Sequence, residues 1–251
     1  MTKGNPIATR SFRCLAVFSL LLYMGCGKNE TPVDEPKFTG LAMQAISKDA
    51  FRLKVSADEV LLTDYLTAPN GNIVYSNVKY YDTKHRIQVA DYYTSNKLLD
   101  TTIIYRPGLI NKVTFFQPSA GAPLSYIGPP VNEALPEAGY TKIAIAYTLD
   151  ELPESVKVVV QNTAPDGPVN YVDTDSFILY KGVFSKYFRG LHIAGRRARV
   201  KFYSTEPDQK LLAEVSATVF DSSNPDFSAF LFAQATGPVN GVYTIIGQNL
   251  Y

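Results

Sequence analysis

The chain of 251 residues lacks tryptophan and holds only two cysteines and two histidines. Both cysteines, Cys14 and Cys26, lie near the N-terminus, so the rest of the chain has no thiol for a disulfide, a thiolate metal site or a cysteine nucleophile. Stability must therefore come from the apolar core. Without tryptophan, tyrosine is the main flat side chain left for stacking on a sugar ring.

Acidic residues are also missing from the first 29 positions, where Lys3, Arg10 and Arg13 precede or flank an apolar run at 14–24. A basic stretch followed by a short apolar stretch is the layout of a secretory signal peptide. The run is shorter than the roughly 20 apolar residues that span a bilayer. We predict that residues 1–25 are a signal peptide and not a transmembrane anchor.

The segment LYMGC (22–26) resembles the lipobox of bacterial lipoproteins, in the looser form found in Bacteroidetes-type lipoproteins. The resemblance implies cleavage before Cys26 and attachment of a diacylglycerol to its thiol. It predicts an outer-membrane protein anchored through this lipid, and it leaves open whether the protein faces the periplasm or the cell surface. A buried cysteine in an N-terminal helix is the alternative interpretation.

Residues 26–37 are polar, carry Pro32 and Pro36, and are predicted to form the lipidated tether. The 11 residues after Cys26 could reach about 35 Å, at roughly 3.3 Å per residue. Removing the signal peptide leaves 21 basic and 23 acidic residues, a net charge of −2. This near-neutral balance gives no support to nucleic-acid binding, which depends on neutralising phosphates.

Beyond the tether, apolar and polar residues alternate in short runs such as HRIQV (85–89), KIAIAY (142–147) and ARVKFYS (198–204). A period of two with one solvated face is typical of antiparallel sheet. Segments rich in proline, glycine and asparagine separate the runs. The pattern predicts an all-β protein of the β-sandwich class, with Val200 and Phe202 facing inward.

The two halves of the chain match each other. Arg86 matches Arg199, and the sequence Lys-Leu-Leu at 97–99 matches the same sequence at 210–212, both at an offset of 113. Further matches, 113–121 with 229–237 and 60–67 with 177–184, have offsets of 116 to 117. The matches predict a tandem duplication, with β-sandwich modules at 38–128 and 140–251 and a proline-rich linker at 129–139. Chance similarity between β-rich segments is the alternative.

The second half carries FSKY (184–187), Ala194-Gly195, RVKFYST (199–205) and the terminal VYTIIGQ (242–248). In this order it resembles an immunoglobulin-like domain of unknown function that is common in Bacteroidetes-type envelope lipoproteins. The first half departs from the pattern, with Lys84-His85 where the glycine is expected. The resemblance implies tandem immunoglobulin-like modules and transfers no catalytic residue.

No motif of a known catalytic site is present, so we predict no enzymatic activity and no cofactor. His85 and His192 lack partners at metal-ligand spacing and are predicted to be surface or turn-packing residues, with no metal site. Asp173 and Asp175 could offer oxygen ligands to Ca²⁺, although a solvated turn is the simpler interpretation.

Adjacent tyrosines occur twice, and strand alternation would expose one member of each pair. A possible ligand patch therefore consists of Tyr80, Tyr81, Tyr92 and Tyr93. Together these features predict a non-catalytic outer-membrane lipoprotein that acts as a binding or structural accessory in the cell envelope, with an envelope protein or a glycan as partner. The alternatives are a glycan-binding surface lipoprotein of a nutrient-uptake system and a fimbrial subunit or anchor that donates or accepts a strand.

Overall fold

The computed structural model describes residues 37–69, 72–80, 83–105, 110–130, 133–163, 170–193, 196–197, 199–215 and 227–251. Residues 37–251 form one compact unit. The strands of its first half are β1 (Lys37–Ile46), β2 (Phe51–Ala57), β3 (Val60–Ala68), β4 (Val74–Tyr80), β5 (Lys84–Asp91), β6 (Lys97–Ile104), β7 (Ile110–Phe116) and β8 (Ser125–Ile127). The second half contains β9 (Tyr140–Tyr147), β10 (Ser155–Thr163), β11 (Tyr171–Tyr180), β12 (Phe188–Ile193), β13 (Arg196–Arg197), β14 (Arg199–Tyr203), β15 (Leu211–Val215), β16 (Phe227–Val239) and β17 (Val242–Asn249).

The alternation read from the sequence is present in the strands. On β14, Val200 and Phe202 are buried while Arg199 is exposed. On β5, Ile87 and Val89 are completely buried, whereas Arg86 is exposed and Gln88 is partly exposed. The predicted register is confirmed, because a slip of one residue would have exchanged the two faces.

The first half is a sandwich of two four-stranded sheets. One sheet has the order β4-β1-β7-β8 and is called sheet A here, and the other, sheet B, has the order β3-β2-β5-β6. Both sheets send side chains into one core, to which sheet A contributes Leu41, Met43 and Phe115 and sheet B contributes Leu53 and Val89. The β-sandwich prediction is confirmed in this half.

The second half is built from one continuous sheet of the order β11-β10-β14-β15-β17-β16-β9-β12-β13. It encloses its own core, in which Ile145, Phe230 and Ile245 lie together with Val158 and Phe202. The strands on the two sides of this core therefore belong to one hydrogen-bonded sheet, and the parallel pair β15–β17 connects them.

The strand pairing of the first half recurs in the second. β1 pairs antiparallel with β4 and parallel with β7, and β9 pairs in the same way with β12 and β16. The chain β3-β2-β5-β6 corresponds to β11-β10-β14-β15. This repetition supports the proposed duplication, although the division into autonomous modules at 38–128 and 140–251 remains a proposal.

Cross-strand partners fix the correspondence residue by residue. Phe115 on β7 corresponds to Phe232 on β16, which gives an offset of 117, one more than the offset between the matched segments 113–121 and 229–237. Leu66 lies opposite Leu53, as Leu179 lies opposite Val156, so β3 and β11 match at 113 and not at the 117 taken from the sequence. Likewise β6 matches β15 at 114, one residue beyond the Lys-Leu-Leu match, because the turn between the last paired residues of β14 and β15 is one residue longer than that between the last paired residues of β5 and β6.

The strand order differs from that of immunoglobulin constant domains. Those domains arrange their strands as ABED and CFG, so that the second and third strands lie in different sheets. Here β2 and β3 are hydrogen-bonded neighbours, and β1–β7, β9–β16 and β15–β17 are parallel. The sandwich is the predicted one, whereas its connectivity is not that of the immunoglobulin fold.

Candidate functional site

Cys26, the predicted lipidation residue, lies outside the described residues, as do the signal peptide 1–25 and all of the tether except Lys37. Within the part of the chain that the structure describes, no helix is long and apolar enough to cross a membrane. Lipid attachment at Cys26 therefore remains a prediction from sequence.

The tyrosine pair at 92–93 lies in the turn after β5 and not within a strand. Asp91 holds this turn, because its carboxylate accepts hydrogen bonds from the Thr94 N–H at 2.7 Å and the Tyr93 N–H at 3.0 Å. These bonds lower the pKa of Asp91, with the Thr94 N–H contributing most. Tyr93 is 76% exposed, and its ring meets that of Tyr92 almost at a right angle, 86°, with 5.2 Å between centroids. The two rings therefore form no flat platform for a sugar.

The Arg52 guanidinium covers one face of Tyr92, at 3.7 Å from the ring centroid. The second tyrosine pair is remote from this turn. Tyr80 ends β4, next to the start of β5, and Tyr81 lies outside the described residues. The eight residues of β5, roughly 25 Å of strand, separate Tyr80 from the turn that holds Tyr92 and Tyr93. The structure therefore does not bring these three residues of the predicted patch together.

His85 is buried at the end of the first core and packs against the β2–β3 turn, as the sequence predicts. Its Nδ1 is hydrogen-bonded to the carboxylate of Asp58, and its ring stacks on Tyr105 at 4.4 Å. Burial, with a smaller effect of Asp58, raises the pKa of Tyr105. This cluster ties the turn to β5. The side chain of His192 is outside the described residues.

Asp173 and Asp175 lie within strand β11 and not in a turn, which corrects the sequence interpretation. Both are exposed beside a shallow groove of about 450 Å³ that Lys157 also lines, and Asp173 accepts a hydrogen bond from Gln161 Nε2 at 2.7 Å. Strand geometry spaces the carboxylates along the chain, unlike a calcium loop, which gathers its ligands. Among the described residues, no group of three or more His, Cys, Asp or Glu could hold a metal ion.

The two halves differ at one edge of the sandwich. In the second half, Tyr243, Thr244 and Ile245 of β17 lie beside Ala213, Glu214 and Val215 of β15 as a parallel ladder. In the first half, β6 occupies the place of β15, and among the described residues it pairs with β5 alone. The edge of β6 is therefore open where the edge of β15 is covered.

The strand that would cover β6 is short. β8 pairs with β7 over only three residues, 125–127, which match 246–248 of β17 when β7 is aligned with β16. By the same alignment Pro123 takes the place of Thr244 and Leu124 that of Ile245. Leu124 is 6% exposed and still closes the core, whereas Pro123 has no N–H to donate to a ladder. The core is sealed, while within the described parts of the chain the backbone edge of β6 has no strand beside it.

A polar cluster holds the segment 117–124 against the β1–β2 connection. Gln117 is buried, and its Nε2 donates to the Asp49 carboxylate at 2.7 Å and to the Ala122 carbonyl at 2.8 Å. The Gly121 N–H donates to the same carboxylate at 2.8 Å. These two donors, the Gly121 N–H first, lower the pKa of Asp49. Sequence patterns did not reveal this cluster, although Pro123 was a visible reason to expect no strand there.

The second half covers part of the outer surface of sheet A. Thr114 Oγ1 donates to the Leu250 carbonyl at 3.1 Å, and Gln248 Nε2 donates to Gln44 Oε1 at 3.0 Å. Around these bonds lies a third apolar cluster, drawn from both halves; its buried members are Phe116, Ala144, Ala146, Phe227, Ala229, Leu231, Leu250 and Tyr251. The two halves are thus in direct apolar contact.

No family model matches the chain, and no curated protein matches it. Among solved structures it is similar to the fimbrial anchor protein Mfa2 from Porphyromonas gingivalis, with 10% identity and a TM-score of 0.28 over 85% of this chain and 97% of that chain. It is also similar to an adhesin candidate from Bacteroides ovatus, with 8% identity and a TM-score of 0.26 over 86% of this chain and 95% of that chain. A third similar structure is a carbohydrate-binding module of family 26 from Eubacterium rectale, solved with maltoheptaose. Its identity is 10% and its TM-score is 0.20, over 84% of this chain and 94% of that chain. At these TM-scores the likeness says nothing about function, which has to be argued from the chain's own residues.

Proposed function

We propose that the protein is a non-catalytic accessory of the cell envelope, anchored in the outer membrane through a lipid on Cys26, that binds a partner protein by accepting an extended strand at β6. The observation that carries the proposal is the difference between the halves. β15 has a parallel strand beside it, and β6, at the same place in the same strand order, has none among the described residues. A strand-accepting fimbrial subunit or anchor is the form of this function that the geometry favours.

The composition of β6 suits an accepting edge. Edge strands are templates for pairing unless short length, proline or charge protects them. β6 is eight residues long and has no proline, and its charged residues, Lys97 and Asp100, lie in its first half. The remainder, Thr101–Ile104, consists of β-branched residues, which favour extended backbone.

The edge at β3 lacks this argument. β3 and its counterpart β11 are both terminal strands of their sheets, so neither half shows a strand added there. At the position equivalent to β6, β17 lies parallel beside β15, and this pair supports the proposal that a parallel strand can be added at β6.

Cysteine cross-linking in intact cells would test the proposal, since acylation of Cys26 would leave no other thiol in the mature chain. Cysteines are placed singly by Thr102→Cys and Ile104→Cys, which lie two residues apart on β6. We expect each to form an adduct with the same partner segment. The partner residue joined should move by two positions between the variants, because paired strands advance in step.

Glu214→Cys on β15 is the matched control, because β17 already occupies that edge. It should give no adduct. Adducts that form equally at position 214, or partner positions that do not follow the two-residue step, would contradict strand addition at β6.

A further inference from the structure

The outer surface of sheet A has a covered part and an exposed part. Toward the ends of β1 and β7, the second half covers it through the contacts at Gln44 and Thr114. Toward the start of these strands the surface is exposed and apolar. Phe38 is 63%, Tyr75 68% and Ile110 65% exposed.

These three side chains form one patch, called the sheet A patch here. Gly40 lies opposite Ile110 on one side and Asn77 on the other, while Tyr75 lies opposite Ala42. With about 4.8 Å between strands and about 3.4 Å per residue, the three apolar residues fall within roughly 15 Å of one another. Gly40, which has no side chain, lies between them on β1. An exposed apolar cluster of this kind marks an interaction surface more often than a scattered single residue does.

The charge of this surface is one-sided. Lys79 lies opposite Phe38, Lys112 lies opposite Ala42, and Lys37 begins β1; all three lysines are exposed. No acidic residue occurs anywhere in β1, β4 or β7. The sequence from residue 26 onward carries a net charge of −2, so the surface departs from the balance of the chain. It complements an anionic partner.

The patch also lies next to the point where the chain enters the fold. Phe38 is 12 residues after Cys26, and β1 begins one residue before it. A lipid on Cys26 would thus hold this surface within about 40 Å of the bilayer, at roughly 3.3 Å per residue. Aromatic rings with flanking lysines are the side chains that settle at the boundary between lipid headgroups and water.

We infer that the sheet A patch is a membrane-docking surface, which places Phe38, Tyr75 and Ile110 against a bilayer with anionic headgroups while Lys79 and Lys112 contact the headgroup phosphates. The inference uses the proposed anchor at Cys26 for orientation, but the docking itself does not require the lipid. It leaves the edge of β6, which belongs to the other sheet, available to a partner.

Vesicle co-sedimentation of residues 26–251 carrying Cys26→Ser tests the inference without any covalent lipid. The protein should partition onto vesicles of phosphatidylcholine mixed with phosphatidylglycerol, and much less onto phosphatidylcholine alone. Lys79→Gln and Lys112→Gln should each weaken binding about fivefold. The combined change Phe38→Ser, Tyr75→Ser and Ile110→Ser should weaken it roughly tenfold or more.

The matched control is Val172→Ser with Ile178→Ser and Tyr180→Ser on β11, three apolar residues of similar exposure that lie in the other half. It should bind as the parent does. The inference would be overturned by equal binding to both vesicle types, or by a control variant that loses as much vesicle binding as the triple variant of the sheet A patch. It would also be overturned if sedimentation showed that the patch drives self-association instead of vesicle binding. If the protein isolated from cells carried no acyl chain but still bound vesicles, the proposed lipid anchor would be wrong and the docking surface would stand.

Discussion

Gln117 and Asp49 bond to each other twice across 68 positions of sequence. The Gln117 Nε2 donates to the Asp49 carboxylate at 2.7 Å, and the Asp49 N–H donates back to Gln117 Oε1 at 3.0 Å. The pair fastens the β1–β2 connection to the segment 117–124, which in the second half is replaced by an extension of β16 and β17. The pair therefore fixes this segment in a conformation that contains no strand.

Gln117→Ala should destabilise the protein by about 1–3 kcal/mol, the usual cost of leaving buried polar groups without partners. Gln117 is only 3% exposed and bonds to Asp49 and to the Ala122 carbonyl. Urea unfolding followed by circular dichroism would measure the change. Ser119→Ala, an exposed position in the same segment, is the control and should stay within about 0.5 kcal/mol of the parent. Similar losses in both variants would contradict the specific role of Gln117.

Stability should fall in mild acid. Asp49 and Asp91 have pKa values lowered by backbone N–H donors, and the Arg86 guanidinium lowers the pKa of Asp100. Because the folded pKa lies below the unfolded value of about 3.9, the contribution is complete above that pH and is lost as the pH falls toward the folded pKa. Urea midpoints from pH 6 to pH 3 should decline, and Asp49→Asn should flatten part of the decline. A midpoint independent of pH below about 4 would refute this.

The core of the second half gives a test of the sheet register. Phe202 is completely buried and meets Tyr147 and Phe232 edge to face, at 6.1 and 5.8 Å between ring centroids. Phe202→Ala should cost about 3–5 kcal/mol in the free energy of unfolding. Lys201, on the opposite face, forms an ion pair with Glu214 at 3.2 Å, and Lys201→Ala should cost no more than about 0.5 kcal/mol. Equal costs would mean that the two faces are not distinguished as described.

Limited proteolysis should cut first between residues 129 and 139. Leu135 is 71% exposed there, and the described part of the segment contains no strand. The two fragments should each give a β-type circular dichroism spectrum. They should also remain associated until denaturant is added, because the cluster around Phe116, Leu231 and Tyr251 joins them. Resistance to cleavage throughout this segment would argue against two autonomous modules.

Mass spectrometry of the membrane fraction should find Cys26 acylated and residues 1–25 removed, as the segment LYMGC predicts. Cys26→Ala should abolish processing at this site and release the folded domain from stable membrane attachment. Ser47→Ala, at a position remote from the processing site, should be processed normally. A mature protein that still begins at Met1 would refute lipid anchoring.

The sequence predicted the strands well, because apolar and polar residues alternate along them in step with buried and exposed side chains. Ile87, Val89, Val200 and Phe202 all face inward as expected. The offset of 117 between β7 and β16 was available from residue matches to within one residue. Strand order was not, since side-chain alternation is the same for parallel and antiparallel neighbours.

The candidate site could not be predicted, for two physical reasons. The turn between the last paired residues of β14 and β15 has one residue more than that between the last paired residues of β5 and β6, so a match of Lys-Leu-Leu misplaces the pairing by one residue. The bond between Asp49 and Gln117 joins residues 68 positions apart, and no local pattern announces it. The tyrosine pairs, by contrast, were conspicuous in sequence and are not gathered by the fold.

Hydrogen exchange of β6 compared with β15 tests the central claim most directly. In the isolated protein, the N–H groups of Lys97–Ile104 that point away from β5 should exchange rapidly, whereas those of Leu211–Val215 should be slow, because β15 is paired on both sides. In native outer membranes, β6 should become as slow as β15 when a partner strand covers it. Slow exchange of β6 in the isolated protein, or exchange that is equally fast in the membrane, would contradict an open edge that accepts a strand.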